Sequence, residues 1–212
     1  MGRIVFWDVD TQVDFIEPLG KLPVPEATAI RDNLKRLTSS APNFCILSGS
    51  VDAHTPRDHE FKTWPEHCVY GTPGQRKVLE SSTQDILFIP SVKLTSKQLS
   101  EVMAYSKQIL FEKQHNTVET NPNCRSFLTK IDPEEVVVYG VATDVCVDIT
   151  VKYLADKLGF KVTVALDAIR GIDSRRTKEC IEEWRSLKVN LQDTAHILEK
   201  LQRDNLRPEG TG

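Results

Sequence analysis

The chain has 212 residues, and its 27 lysines and arginines against 30 aspartates and glutamates give a formal net charge of −3 at pH 7. Its hydrophobic (40%) and charged (27%) fractions are those of a globular protein, so a disordered or fibrous chain is excluded and one domain is favoured. The mildly negative charge argues against a nucleic-acid binder, and no apolar run reaches the ~18 residues of a membrane helix, so we expect neither nucleic-acid nor membrane partners.

The chain alternates between short apolar segments rich in β-branched residues and longer amphipathic segments. Strands are predicted at residues 3–9, 44–47, 108–111, 135–139 and 161–166, and residues 85–89 form either a further strand or a loop. Helices are predicted at residues 25–37, 96–105, 123–129, 145–157, 174–187 and 194–202. This alternation is typical of an α/β fold in which helices cover both faces of a mostly parallel sheet. We therefore expect a three-layer α/β/α architecture with six strands.

No repeat, low-complexity tract or linker divides the chain. We therefore expect one domain over residues 1–205 and a flexible tail over residues 206–212. The cysteines are odd in number and lack the spacing of a disulfide framework or a zinc ribbon: Cys45, Cys68, Cys124, Cys146 and Cys180. The first residues lack the pattern of a signal peptide, so a reduced cytoplasmic compartment is expected.

One cysteine occupies a position suited to chemistry. Cys146 is predicted in the first turn of a helix that follows a buried strand and a turn containing Gly140. Peptide N–H groups at a helix N-terminus lower the pKa of a thiol towards the thiolate, and they can also bind a developing oxyanion. The alternative is that Cys146 packs as a small buried hydrophobic residue.

A nucleophilic cysteine needs a base, and none of the five histidines falls at a predicted strand end. Asp8 and Asp10 lie around the end of the first strand and share a face by strand alternation, so the one nearer the end is expected to face a cleft. Lys113 lies just beyond the strand at 108–111, where a cation would stabilise both a carboxylate and a thiolate. The alternatives are loop-capping acids and a solvated lysine.

A further pattern, Asp52-Ala53-His54 followed by His67, suits a metal ion. Mixed oxygen and nitrogen ligands are those that zinc, iron or manganese accept, and open coordination positions would bind water or substrate. Three residues between the two histidines could add a ligand: Asp58, His59 and Glu60. The alternative is that these are solvated loop side chains.

Three motifs follow one another along the chain. D-x-Q-x-D-F occupies residues 10–15, D-x-H followed by W-P-x-H-C occupies residues 52–54 and 64–68, and G-V-x-T-x-x-C occupies residues 140–146. Together and in this order they resemble the isochorismatase-like cysteine hydrolases, and within them the nicotinamidase/pyrazinamidase branch. The resemblance extends from Phe6 to about Ile172.

The resemblance implies a catalytic triad of Asp10, Lys113 and Cys146, and so selects one of the two carboxylates at the first strand end. It also implies a cis peptide bond between Val141 and Ala142. That bond would direct the N–H groups of Ala142 and Cys146 into an oxyanion hole.

The resemblance further implies that Asp52, His54 and His67 bind a divalent metal, usually zinc, with iron or manganese as alternatives. Phe15 and Trp64 would lie on either side of a flat aromatic ring whose ring nitrogen can reach the metal. No organic cofactor is implied.

The activity implied is hydrolysis of nicotinamide to nicotinate and ammonia through a thioester on Cys146. One alternative is a related cysteine hydrolase of an N-carbamoyl or ureide compound, which would not need all three metal ligands together. Another is a non-catalytic member of the fold. Isochorismatase proper lacks a cysteine nucleophile, so Cys146 argues against it. We expect a small-molecule amide as the partner and a homo-oligomer.

Overall fold

A parallel sheet organises the chain, whose computed structural model describes residues 3–105 and 107–206. Its strands are β1 (Ile4–Val9), β2 (Ile46–Asp52), β3 (Ile86–Ile89), β4 (Gln108–Lys113), β5 (Glu135–Val141), β6 (Val162–Arg170) and β7 (Asn190–Gln192). They lie in the order β3-β4-β2-β1-β5-β6-β7, and every neighbouring pair is parallel. The predicted α/β fold is confirmed, but the sheet has seven strands among the described residues rather than six.

Helices cover both faces of this sheet. They are α1 (Val13–Ile16), α2 (Arg31–Phe44), α3 (Ser96–Met103), α4 (Cys124–Ile131), α5 (Asp148–Lys152), α6 (Ser174–Ser186) and α7 (Thr194–Leu206). Apolar side chains of α2 and α7 pack in one hydrophobic cluster, and those of α3, α4 and α6 pack in the other. The core therefore lies in two layers, one on each side of the sheet.

Successive side chains of β1 point to opposite faces of the sheet and contribute to both hydrophobic layers. Val5, Trp7 and Val9 are fully buried in one cluster, whereas Phe6 is fully buried in the other. A central strand buried on both faces reads as a nearly continuous apolar run, which is why its position was predictable from the sequence.

Strand β2 differs from the prediction, because it begins at Ile46 and continues to Asp52. The polar residues that made the segment look like a loop are accommodated inside the sheet. The Ser48 hydroxyl donates a hydrogen bond to the Ile109 carbonyl at 2.9 Å. A Cβ on Gly49 would lie 2.0 Å from the Asp8 carbonyl oxygen, so only glycine permits this close approach of β1.

Other boundaries also differ. The helix predicted at residues 25–37 is a 3₁₀ turn, Ala27–Ile30, followed by α2, which ends at Phe44. The region 145–157 contains α5 between two π-helical turns, Thr143–Val147 and Tyr153–Lys157. β7 was not predicted, because a three-residue strand at the sheet edge is too short to show alternation.

None of the helices within residues 3–105 and 107–206 is long and apolar enough to cross a membrane. The tail expected at residues 206–212 lies outside the described residues, apart from residue 206 at the end of α7. The domain bounds stay predictions.

Candidate active site and metal centre

The carboxyl ends of four adjacent strands bring the predicted triad together. β4, β2, β1 and β5 are consecutive in the sheet and parallel, so their carboxyl ends meet at one edge. Lys113 ends β4 and Asp52 ends β2, whereas Asp10 follows β1 and Cys146 follows β5. Residues from distant parts of the sequence therefore share one site.

Lys113 lies at the centre of this group and is almost fully buried. Its Nζ lies 2.9 Å from Asp10 Oδ2 and donates a hydrogen bond to Asp52 Oδ1. The same Nζ lies 3.8 Å from Cys146 Sγ. One buried ammonium therefore contacts two carboxylates and the candidate nucleophile.

Asp10 and Asp8 take different directions at the end of β1. Asp10 has a φ of 50°, in the left-handed region that aspartate tolerates, so the strand alternation ends before it. Its Oδ1 accepts a hydrogen bond from the Ser50 hydroxyl at 2.8 Å. Asp8 instead pairs with Lys77 at 2.8 Å. The common face expected for the two aspartates was wrong, and of the two it is Asp10 that pairs with Lys113.

The two carboxylates on Lys113 have opposite pKa shifts. Burial raises the pKa of Asp10. The charge of Lys113 offsets this increase only in part, and the charge of Asp52 adds to it. Burial would also raise the pKa of Asp52, but Lys113 and the neighbouring imidazoles outweigh it and lower that pKa well below its usual range. Burial opposes the charge of Lys113, yet the two carboxylates raise its pKa well above the ordinary value. Asp10 is thus the carboxylate better suited to take and return a proton.

Cys146 has a raised thiol pKa, contrary to the shift expected from a helix N-terminus. Burial raises the pKa most, Lys113 opposes it, and the charges of Asp10 and Asp52 and a hydrogen bond to Asp10 add to the increase. Attack by this sulfur therefore requires a group that takes the thiol proton, and Asp10, whose pKa is also raised, is the candidate.

The turn before Cys146 is held by one carbonyl group. The peptide bond between Val141 and Ala142 is cis. The Ala142 carbonyl accepts hydrogen bonds from the N–H groups of Val145, at 3.1 Å, and Val147, at 3.0 Å. Val141, Ala142 and Cys146 all line the same cleft. The role of the Ala142 and Cys146 N–H groups as an oxyanion hole stays a prediction.

Asp52 also belongs to a second cluster of side chains, which could hold a metal ion. The side chains of Asp52, His54, Glu60 and His67 each offer one ligand atom, and all four atoms lie within 4.8 Å of one another. His67 Nε2 lies 3.5 Å from Asp52 Oδ2 and 4.0 Å from Glu60 Oε1, and His54 Nε2 lies 3.7 Å from Asp52 Oδ2. These separations are too long for strong hydrogen bonds and suit side chains arranged around an ion.

The outer nitrogens of both histidines are held by other groups. His54 Nδ1 lies 3.0 Å from Asp58 Oδ2, and His67 Nδ1 lies 2.7 Å from the Pro65 carbonyl oxygen. Such contacts turn Nε2 towards a metal. His54 Nε2 is buried and has no hydrogen-bond partner among the described residues, so the side chains fit a divalent cation.

The structure places the three residues that were candidates for a further metal ligand in different environments. Glu60 belongs to the cluster, Asp58 supports His54 from outside it, and His59 is exposed. The 3₁₀ turn His59–Lys62 directs these adjacent residues differently. The expectation that no histidine follows a strand end was also wrong, since β2 ends at Asp52 and His54 lies two residues beyond it.

A cleft lies beside both clusters. Cys146, Asp52, Glu60 and His67 line it, whereas Asp10, Lys113 and His54 lie behind its wall. Phe15 and Trp64 also line it, and their place on either side of an aromatic ring stays a prediction. The remaining wall is mostly aliphatic, and among its described residues there is no lysine or arginine. The cleft therefore suits a small, flat, uncharged molecule.

Gln12 has a structural role that the sequence analysis did not assign. Its Oε1 accepts the Asp52 N–H at 2.7 Å, and its Nε2 donates to the carbonyl oxygens of Asp52, at 2.8 Å, and Gln75, at 2.7 Å. The motif D-x-Q-x-D-F contained the signal, because a buried amide next to a site must find partners.

Known proteins are similar to this chain in both sequence and fold. The Isochorismatase domain model matches residues 94–196. The nicotinamidase of Saccharomyces cerevisiae is 29% identical over 217 residues, covering 87% of this chain and 97% of that protein. The nicotinamidase/pyrazinamidase of Mycobacterium tuberculosis is 30% identical over 192 residues, covering 86% of this chain and 95% of that protein. The pyrazinamidase of Pyrococcus horikoshii in complex with zinc has a TM-score of 0.67 at 25% identity, covering 90% of this chain and 99% of that chain.

The relative at 30% identity spans most of both chains, and the solved structure has a similar fold over most of both chains. The chain therefore belongs to the isochorismatase family and is a hydrolase.

Proposed function

We propose that this protein is a metal-dependent nicotinamidase that hydrolyses nicotinamide to nicotinate and ammonia through a thioester on Cys146. The observation that carries the proposal is Lys113, whose ammonium contacts Asp10 and Asp52 and lies 3.8 Å from Cys146 Sγ. Support for the substrate comes from the two relatives named as nicotinamidases, which align with more than four-fifths of the chain.

Acylation begins with transfer of the Cys146 proton to Asp10. The sulfur attacks the amide carbonyl carbon, and the carbonyl oxygen takes the negative charge of the tetrahedral intermediate. Asp10 then returns the proton to the leaving nitrogen, which departs as ammonia and leaves a thioester. Lys113 stabilises the negative charge that moves between sulfur and carboxylate.

Deacylation repeats these roles with water. Asp10 removes a proton from a water molecule, and the resulting hydroxide attacks the thioester carbonyl. The thiolate of Cys146 leaves and takes the proton back from Asp10, which releases the carboxylic acid product. In both halves the N–H groups of Ala142 and Cys146 are assigned to the oxyanion.

Four side chains would hold the metal: Asp52, His54, Glu60 and His67. Zinc is favoured, with iron and manganese as alternatives that the same oxygen and nitrogen donors accept. When bound, such an ion supplies positive charge and an open coordination position for a ring nitrogen. Zinc in the Pyrococcus horikoshii pyrazinamidase supports this assignment.

The cleft favours a neutral aromatic amide over the alternative substrates. An N-carbamoyl amino acid carries a carboxylate, and the described lining residues include no lysine or arginine to pair with it. Phe15 and Trp64 instead contribute two aromatic side chains to the lining, and aromatic side chains pack well against a flat ring. A neutral ureide would enter the same cleft but would gain less from these side chains.

The reaction would belong to the salvage of pyridine nucleotides. A cytoplasmic location is supported by the five cysteines, which are all unpaired, as expected in a reducing compartment. The family resemblance supports a homo-oligomer, which light scattering after gel filtration would measure.

Ammonia release from nicotinamide tests the proposal, with a ureide and an N-carbamoyl amino acid as competing substrates. We expect turnover of nicotinamide, its loss in Cys146→Ala, and its retention in Cys180→Ala, which removes another buried thiol. Elemental analysis of the purified protein should find one divalent metal per chain. Turnover by Cys146→Ala, or a preference for the ureide in metal-free protein, would contradict the proposal.

A further inference from the structure

Asp144, two residues before the nucleophile, holds the loop that follows β6. Its Oδ1 accepts the N–H of Ile172 at 2.8 Å, and its Oδ2 accepts the N–H of Asp173 at 2.7 Å. Both oxygens of one carboxylate are thus used on consecutive peptide groups. Two hydrogen bonds therefore link this loop to the turn that carries Cys146.

Gly171 brings the loop unusually close to that turn. A Cβ at this position would lie 2.0 Å from Thr177 Oγ1 and 3.0 Å from Asp144 Oδ1. On the other side of the loop, the Asp173 carboxylate accepts the N–H of Arg176 at 2.7 Å and so begins α6. Hydrogen bonds therefore hold the backbone at Ile172 and on its C-terminal side.

Ile172 is the residue that this arrangement places on the cleft. Its side chain lines the cleft together with Val145 and Cys146, and it remains 39% exposed. Asp144 lies two residues before Cys146 in the same turn. The hydrogen bonds from the N–H groups of Ile172 and Asp173 to Asp144 therefore link the backbone at Ile172 to the turn that carries the nucleophile.

We propose that Ile172, positioned by Asp144, limits the size of the ring substituents that the substrate can carry. The inference rests on the proposed amide hydrolysis and adds a specificity-determining residue to it. A wall whose backbone is held by hydrogen bonds should reject an extra methyl group by steric overlap more strongly than a wall that is free to move. The substrate class is therefore a small aromatic carboxamide without a substituent on the ring edge that faces Ile172.

The test compares nicotinamide with its ring-methylated isomers, one for each ring carbon that bears hydrogen. In Ile172→Ala, we expect kcat/KM for at least one isomer to rise about tenfold relative to nicotinamide, the size of effect that one methyl group has in an apolar pocket. Ile172→Val should give a smaller rise for the same isomer. The isomer that gains identifies the ring edge next to Ile172.

Leu187→Ala is the matched control, because Leu187 is an aliphatic residue with a similar exposure of 37% that does not line the cleft. Its isomer ratios should equal those of the wild type. Ratios in Ile172→Ala that stay within about twofold of the wild type for every isomer would overturn the inference, as would an equal change in Leu187→Ala. Failure of the wild type on nicotinamide itself would instead overturn the proposed function and the inference with it.

Asp144→Asn tests whether Asp144 acts through Ile172. The amide keeps one acceptor oxygen and loses the other, so one loop N–H loses its partner and the wall loosens. We expect the isomer ratios to move in the same direction as in Ile172→Ala. In the double variant they should not move beyond those of Ile172→Ala, because the second change then has nothing left to position. Additive changes in the ratios would show that Asp144 does not position this residue.

Discussion

Lys113 and Asp10 form an ion pair with Nζ 2.9 Å from Oδ2, and both side chains are only 1% exposed. The same ammonium also contacts Asp52, so two buried carboxylates depend on one cation. A buried charge without its partner is costly, whereas a neutral pair of similar shape is tolerated. The stability and the chemistry of this site can therefore be separated by substitution.

Lys113→Met is expected to abolish ammonia release and to lower the free energy of unfolding of the metal-free protein by about 3–5 kcal/mol. The loss of stability follows because Asp10 and Asp52 would remain buried without their cation. Urea unfolding measures the stability, and an ammonia assay measures the activity.

The control for this change is the double variant Asp10→Asn/Lys113→Met. It removes one of the two unpaired charges, so it should recover part of the lost stability while remaining inactive. A single variant as active as the wild type, or a double variant no more stable than the single one, would contradict this account.

Asp58→Ala is expected to weaken metal binding about 10–100-fold, the usual effect of losing a group that orients a ligating histidine. Asp58 Oδ2 lies 3.0 Å from His54 Nδ1, and Asp58 also accepts hydrogen bonds from the N–H and hydroxyl groups of Thr55. Thr55→Ala is the matched control, because it removes the hydroxyl contact but leaves His54 supported. Competition with a zinc chelator measures both affinities, and equal affinities in the two variants would refute the role of Asp58.

The sequence predicted which residues meet at the candidate active site better than it predicted the pKa shift of Cys146. Lys113, Cys146 and one of the two aspartates could be placed together because the carboxyl ends of parallel strands meet, which is a rule of topology. The choice of Asp10 over Asp8 came from the family resemblance. The direction of the Cys146 pKa shift could not be predicted, because it depends on the depth of burial and on the distances to two carboxylates. These quantities exist only once the chain is folded.

The candidate metal centre was also only partly predictable from the sequence, because adjacent residues point in different directions. Asp58, His59 and Glu60 are consecutive, and composition alone treats them as equivalent ligands. The turn His59–Lys62 directs Glu60 inward and leaves His59 exposed. In the sheet, β2 was placed too early because Ser48 and Gly49 look like loop residues, although their close packing against neighbouring strands requires small side chains.

A second buried ion pair, Asp8 with Lys77, is expected to stabilise the fold without acting in the reaction. Lys77 Nζ lies 2.8 Å from Asp8 Oδ2 and donates to Thr11 Oγ1 at 2.6 Å. Lys77 therefore pairs with Asp8 and Thr11 rather than with Asp10 or Cys146. Lys77→Met should therefore lower the free energy of unfolding by about 3–5 kcal/mol, since it leaves the Asp8 carboxylate unpaired.

The double variant Asp8→Val/Lys77→Met replaces both charges by apolar groups and should recover most of that stability. Its kcat/KM for nicotinamide should remain close to the wild-type value, which an ammonia assay at matched concentration can check. Equal instability of the single and double variants in urea would show that the unpaired charge is not the cause.

Glu135 is expected to make stability depend on pH in the acid range. Burial would raise its pKa, but hydrogen bonds from Lys200, Thr163 and Lys161 outweigh it, so the pKa lies below the ordinary value of 4.5. A carboxyl whose pKa is lower in the folded state adds stability above its unfolded pKa, and that stability is lost as the pH falls towards the folded pKa. The wild type should therefore exceed Glu135→Gln in unfolding free energy most clearly near neutral pH, and the difference should shrink as the pH falls below 4.5. Glu134→Gln, at the exposed neighbouring position, should change stability little. Urea unfolding of the three proteins across this range measures the effect, and a difference that grows as the pH falls would refute the assigned sign.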